Sequence, residues 1–225
     1  MGFKAPSTVL QKVMRHKALK FEENGKLTIW GNPCSMIPLY VQVYMHKLTE
    51  DATDTDTLKK ILYHTAKLQT SIGFRIINER FGYAKTQTEK KKLLEFNTGQ
   101  TEILGIGAWQ FIRMDFKKNM FIVEGSSPYA LEYKRFFGIQ KDSIDYFFSG
   151  SCAAAVEETV GKTMLSLESE CIAKGDKVCQ FIIKPPEDWD KKDPLMKKNM
   201  VLLEKAPSME ELGANMKPYL GLPKS

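Results

Sequence analysis

Apolar residues recur at helical spacing along much of the chain. Val9, Leu10, Val13 and Leu19 predict an amphipathic helix over 7–20. Phe21 to Trp30 carries Asn24-Gly25, two residues that tolerate positive φ, and predicts a tight hairpin closed off by Gly31-Asn32-Pro33. Met36, Leu39, Tyr40, Val43 and Tyr44 predict a helix over 35–48, followed by a polar, acidic loop from Asp51 to Asp56. Leu58, Ile61, Leu62, Ala66, Ile72, Ile76 and Ile77 put one apolar side on a long helix over 57–81, with Gly82 as its stop. Residues 84–100, with the Lys90-Lys91-Lys92 run, read as a solvated loop or helix.

The period then changes. β-prone residues dominate 103–116 and 120–124 around Lys117-Lys118-Asn119, which predicts a hairpin. Ser127-Pro128 opens a helix to Phe137, because Ser caps and Pro suits the first helical position. Gly138 ends it. Asp142 opens a second helix through Val160, closed by Gly161, and two strands follow over 162–173 and 177–184. Pro185-Pro186 stops the last strand. Residues 186–225 lose the apolar period, gain Pro194, Pro207, Pro218 and Pro223, and read as a tail with a short helix near 208–216.

With 225 residues, 43% hydrophobic and 27% charged, the chain suits one globular domain with its own core. That composition excludes global disorder, collagen and coiled coil. The longest apolar run, Cys152 to Val156, is far short of the roughly 20 residues of a membrane span. The N-terminus has no apolar h-region, and Pro6 breaks the myristoylation pattern begun by Met1-Gly2. A cytoplasmic protein is expected. The net charge of +6 is concentrated in residues 1–20, where Lys4, Lys12, Arg15, Lys17 and Lys20 meet no acid. Such a cluster is modest, so a solvated helix is the expectation and a nucleic-acid contact is not.

Cys171 and Cys179 hold the most chemical information. If Lys174-Gly175-Asp176 is a three-residue loop, the two cysteines face each other on one side of a ladder, with Cβ atoms about 4.5–5.5 Å apart. Thiolates so placed can share a tetrahedral Zn²⁺ at about 2.3 Å each. Glu168 has the wrong parity to join them unless a bulge intervenes. Asp145 and Cys152 lie two turns apart on one face of the preceding helix. The alternative is a pair of free, half-buried thiols in a reducing compartment.

The run Gly150-Ser-Cys-Ala-Ala-Ala-Val-Glu-Glu-Thr-Val-Gly161, followed by Glu168-Ser-Glu-Cys171-Ile-Ala-Lys-Gly-Asp-Lys-Val-Cys179-Gln-Phe181, resembles the 4-vinyl-reductase-type, or hydrocarbon-binding, domain. Upstream, Gly25-Lys-Leu-Thr-Ile-Trp30 and the helix from Lys59 to Gly73 are similar to the sensor domain of phenol- and toluene-responsive bacterial activators. The resemblance spans about residues 20–185, and its specific part is 150–181. It implies an α/β (α+β) fold, an antiparallel sheet packed with helices in a single sensor-type domain that encloses an apolar cavity. The expected parts are a basic N-terminal helix (1–20), a dimerisation part (21–100), a ligand-binding part (101–185) and a tail (186–225). It also implies a homodimer and a structural zinc on Glu168, Cys171 and Cys179. The family's remaining cysteine ligand falls on Asp145, with Cys152 as the alternative.

The family's phenol-gripping His and Trp find no counterpart: Val123-Glu124 stands in the relevant strand and no His follows His64. A phenolic ligand is therefore not expected. An apolar cavity lined by Trp109, Phe111, Phe121, Phe147 and Phe148 is, with plain core packing as the competing reading for each ring. Gly161-Lys162-Thr163 mimics the end of a P-loop but leaves a helix instead of entering one, and Val156 replaces its first glycine. His16, His46 and His64 have no nucleophile at readable spacing, and no dinucleotide fingerprint occurs. The expectation is a non-enzymatic sensory or binding module for a small hydrophobic molecule, acting in signalling or regulation through a protein partner. An assembly subunit resembling vesicle-tethering components and an accessory protein in tetrapyrrole vinyl reduction are the alternatives.

Overall fold

The computed structural model describes residues 19–22, 25–206 and 211, with the side chain of residue 32 set apart. Residues 1–18 and most of 208–216 lie outside the described residues, so the basic helix and the tail helix expected there are not addressed by it.

The chain starts with a small antiparallel sheet of β1 (Leu19–Phe21), β2 (Leu27–Ile29) and β3 (Asn32–Cys34). Leu19 and Lys20, expected at the end of a helix, pair instead with Ile29 and Thr28. Cross-strand hydrogen bonds to β2 decide their backbone where local spacing does not. The expected hairpin is present: Phe21 pairs with Leu27, the Glu22 N–H donates to the Lys26 carbonyl at 2.7 Å, and Gly25 has φ +74°. A second tight turn follows it. Ile29 pairs with Asn32, and Trp30 and Gly31 bridge them at φ +54° and +90°. A left-handed Trp costs roughly 1–3 kcal/mol. Its indole offsets that by packing on Ile77 and Phe96 and donating to Gln100 Oε1 at 2.6 Å.

Helix α1 (Leu39–Ala52) begins later than its apolar spacing suggests, because Pro38 caps it and disfavours helical backbone at Ile37. Helix α2 (Thr55–Phe81) matches expectation. Asp54 accepts from the Thr57 N–H at its start, and Gly82 ends it at φ +86°. The ambiguous 84–100 segment is helix α3 (Gln87–Ile103), opened by a Thr86/Glu89 capping box. Leu94 and Phe96 anchor it.

A second antiparallel sheet has the order β4-β5-β7-β6. It consists of β4 (Ala108–Asp115), β5 (Met120–Ser126), β6 (Leu165–Glu170) and β7 (Cys179–Lys184). Two helices lie between β5 and β6: α4 (Pro128–Phe137), capped by Ser127, and α5 (Tyr146–Val160), capped by Asp145. The α5 start is later than the expected Asp142, whose carboxylate pairs instead with Lys198. Phe121, Val123, Phe181 and Ile183 on one sheet face meet Phe148, Cys152, Ala155 and Val156 of α5 in the main core. Gly150 lets α5 press onto α2, since a Cβ there would stand 2.1 Å from the Tyr63 carbonyl oxygen.

The first part of the expected tail belongs to the domain. Trp189, Met196 and Leu202 pack with Leu165 and Leu167 of β6 and with Tyr63 and Ala153. A short α6 (Pro194–Lys198) lies within this segment, and Lys59 Nζ ties it to α2 through the Lys198 carbonyl at 2.8 Å. Apolar residues scattered without period can cover a sheet surface, because an irregular segment presents side chains to one side without repeating.

Candidate functional site

Strand β6 carries a bulge between Glu168 and Glu170. Glu168 lies opposite Phe181, and Glu170 opposite Gln180, so Ser169 is the extra residue. Glu168, opposite Phe181, already lies on the face that carries Cys179, and the bulge after it shifts the following residues so that Cys171 comes to the same side. The connection to β7 is not a three-residue loop. Cys171 caps a single 3-10 turn, Ile172–Lys174, and Gly175 closes it at φ +103°. The Asp176 carboxylate accepts the Cys171 N–H at 2.8 Å and holds the turn. Cys179 then opens β7.

The result brings the side-chain ligand atoms of Glu168, Cys171 and Cys179 within 4.8 Å of one another, all three residues buried. Backbone N–H groups point at the sulfurs. Ile172 donates to Cys179 Sγ at 3.4 Å, and the amides of Ile144 and Ala173 favour a Cys171 thiolate. Glu168 is 4% exposed. One of its oxygens, Oε2, accepts the Asp145 N–H at 3.0 Å. The other, Oε1, is buried with no hydrogen-bond partner.

Asp145 stands beside this cluster but does not join it. Its carboxylate accepts the Phe148 N–H at 3.2 Å as the cap of α5, and the Ser127 hydroxyl at 2.6 Å. The helix start uses the oxygens that the resemblance assigns to metal. Cys152 is buried on the same helix, also outside the three-residue group. Ser127 serves twice, since its Oγ also accepts the Ala130 N–H at 3.1 Å as the cap of α4. The Ser127-Pro128 signal locates this residue in the sequence, while its second role depends on contacts that spacing cannot show.

The electrostatics follow from burying several acids together. Burial, then the Cys171 and Asp145 charges, pushes the Glu168 carboxyl well above the usual carboxylate range. Burial lifts Asp145 to about 6 and raises the Cys152 thiol. The Cys179 thiol donates to the Cys171 sulfur and brings Cys171 down to about 6, while the same bond pushes Cys179 up. These groups cannot all ionise together in a dry volume without a cation. Two sulfurs and a buried carboxylate oxygen within 4.8 Å of one another are a donor set that fits a thiophilic divalent ion such as Zn²⁺.

The aromatic residues gather nearby. Trp109 and Phe148 stack with ring centroids 3.8 Å apart, and Phe181 meets both edge-on at 5.5 and 5.2 Å. Phe121 meets Phe111 and Phe116 at 6.5 and 5.1 Å. Trp109, Phe121 and Phe148 are buried core, Phe111 packs against that core, and Phe147 is half-buried outside it. The rings expected to line a cavity thus lie against each other. Phe181 and Phe116 complete the group and were not among the expected residues. Trp109 is 6% exposed, yet its indole N–H has no acceptor. Its ring fills space above Gly107 and Gly125, where a Cβ would stand 2.4 Å from Trp109 Nε1 and 2.7 Å from Cε3.

Among known proteins, no family model and no curated sequence matches this chain. Solved structures do. The phenol-responsive sensory domain of the transcription activator PoxR, determined with phenol, is similar with a TM-score of 0.72 at 14% identity, over 88% of this chain and 98% of that one. The chain therefore has the α+β fold of that sensory domain. A vinyl-4-reductase family protein from Methanocaldococcus jannaschii is similar at 19% identity, TM-score 0.41, over 67% and 83% of the two chains. A trafficking protein particle complex subunit 3 from Naegleria fowleri, covalently bound to palmitic acid, is similar at 9% identity, TM-score 0.45, over 65% and 93%. No helix among the described residues is long and apolar enough to cross a membrane.

Proposed function

We propose that this chain is a sensory or binding module for a small, largely apolar molecule that carries one hydrogen-bond acceptor, built around a structural Zn²⁺. The buried Trp109 indole N–H, left without an acceptor in an aromatic layer, is the observation that carries the ligand reading. A lone buried donor costs roughly 1–3 kcal/mol, and a ligand acceptor entering beside Phe148 removes that cost. The PoxR sensory domain, which shares this fold, was determined with phenol.

The buried Glu168 carboxylate, with a ligand oxygen within 4.8 Å of both cysteine sulfurs, supports the metal reading. Glu168, Cys171 and Cys179 would hold the ion. Structural zinc contributes its binding free energy to folding. Ligand and metal would communicate over a short path. Phe148 donates its N–H to Asp145, and Asp145 donates its own N–H to Glu168. A ligand that displaces the Phe148 ring thus tilts the start of α5, and only a ligand with different affinity for the two arrangements can shift them. Regulation through a protein partner is the output this implies.

Calorimetric titration of the full chain with acetophenone, benzaldehyde, phenol and toluene tests the reading. Acceptor-bearing rings should bind, toluene about tenfold more weakly, and Trp109→Phe should abolish that difference. Equal affinity for toluene and acetophenone, or no binding by any of the four, would contradict it.

A further inference from the structure

The β4–β5 turn meets the start of α3 and the end of α5, and the three enclose a half-open cleft of about 180 Å³. Its walls are Lys85, Gln87, Lys90, Phe116, Asn119 and Val160. Every polar side chain in that lining is able to donate: two are ammonium groups, two are carboxamides, and none is a carboxylate. A typical small-molecule pocket measures roughly 300–1,000 Å³, so this cleft admits a single group and not a whole cofactor.

The carboxylates closest in sequence are engaged by backbone. Glu89 Oε2 accepts the Lys85 and Thr86 N–H groups at 2.8 and 2.9 Å, as part of the α3 capping box. Asp115 accepts the Lys118 N–H at 3.0 Å and meets Arg113 at 3.4 Å, which holds the turn that places Asn119 at φ +46°. Lys85, Lys90, Lys117 and Lys118 form no ion pair among the described residues, whereas the adjacent Lys91 reaches Glu95 at 3.8 Å.

Surface lysines are ordinarily solvated by bulk water and need no concavity. Here two of them stand round a floor that includes the half-buried Phe116 and Val160. Apolar walls keep water from one side of an incoming anion and strengthen its attraction to both ammonium groups. The cleft also lies at the positive end of the α3 dipole, which adds to the same sign.

We infer that this cleft binds a phosphoryl group, free or borne on a small organic molecule, through the Lys85 and Lys90 ammonium groups and the Gln87 and Asn119 amides. A phosphoryl group carries nearly two negative charges and three strong acceptor oxygens, which match two cations and two amides. A carboxylate offers one charge and two oxygens. Phe116 meets Phe121 edge-on at 5.1 Å, so the cleft is one ring away from the main core. It is a second site, distinct from the aromatic layer at Trp109, and it needs neither the metal nor the apolar ligand.

Amide NMR of the full chain, titrated at constant ionic strength with inorganic phosphate, phenyl phosphate and acetate, tests it. Shifts should cluster at residues 85–90 and 116–119 and saturate in phosphate with a dissociation constant on the order of 1–10 mM. Acetate should bind about tenfold more weakly, since it pairs with one cation only. Lys85→Ala and Lys90→Ala should each weaken phosphate about threefold, as exposed ion pairs do, and together about tenfold, with unchanged circular dichroism. Lys92→Ala, on the same helix but outside the lining, should leave the affinity as it is. Tighter binding of phenyl phosphate identifies an organic phosphate and equal binding the free ion, and either supports the site. No saturable shift, equal affinity for acetate, or a double variant that binds phosphate as the wild type does overturns it. So does a loss in Lys92→Ala equal to that in Lys90→Ala, which would assign the effect to general positive charge.

Discussion

Replacing Glu168 with Gln separates a metal-bound cluster from a merely protonated one, because the two cases predict opposite signs. The side chain is 4% exposed, with one oxygen bonded to the Asp145 N–H and the other unpartnered. Without a metal, the buried carboxyl is held neutral by its surroundings. The isosteric amide keeps the acceptor for Asp145, so stability should change by under about 1 kcal/mol or improve. With Zn²⁺ bound, the same change removes an anionic ligand. Free metal at about 1,000 times the dissociation constant contributes ~4 kcal/mol, and most of that is lost when affinity falls by two to three orders of magnitude. For a domain of this size about 1 kcal/mol moves Tm by 2–4 °C, so the variant should melt roughly 5–15 °C below wild type in zinc. After exhaustive chelation the gap should close to within about 4 °C. Thermal unfolding followed by circular dichroism reads all four states. A variant as stable as wild type in the presence of zinc would refute the reasoning.

Other parts of the fold carry their own tests. Gly150→Ala places a Cβ 2.1 Å from the Tyr63 carbonyl oxygen, and should cost about 2–3 kcal/mol in urea unfolding through separation of α2 and α5. Trp189→Ala should cost about 3–5 kcal/mol and expose residues 186–206 to protease, since Trp189 packs the C-terminal segment onto β6. His46 is buried, with its titration lowered from 6.5 to about 4 chiefly by desolvation. A folded value below the unfolded one means that the unfolded state binds more protons between those pH values. Stability should therefore fall as pH drops from about 6.5 to about 4. The fall should be smaller in His46→Phe, with chemical unfolding at pH 7.5, 5.5 and 4.5 as the measurement.

Much of the fold was readable where local signals and tertiary needs agree. The long apolar side of α2, the Ser127-Pro128 start of α4 and the Lys117-Lys118-Asn119 turn each appear where the spacing places them. The nearness of Glu168, Cys171 and Cys179 is what the sequence spacing suggests, but it is reached through a bulge at Ser169 and a 3-10 turn in place of the expected three-residue loop. What escaped depended on distant partners. Leu19–Phe21 is a strand only because β2 lies beside it. The left-handed Trp30 is held by Gln100, seventy positions away. The second role of Asp145, whose oxygens accept the Phe148 N–H and the Ser127 hydroxyl, depends on contacts across the fold that spacing does not show. The tail residues that cover β6 have no period to reveal them.

The most direct measurement is metal content by native mass spectrometry and elemental analysis, on full-length protein purified without added metal, beside Cys171→Ser. One zinc per chain in the wild type, absent from the variant, is the predicted result. A wild-type protein that carries no metal, and whose unfolding is unchanged by zinc or by chelator, would contradict a metal-centred account of this domain.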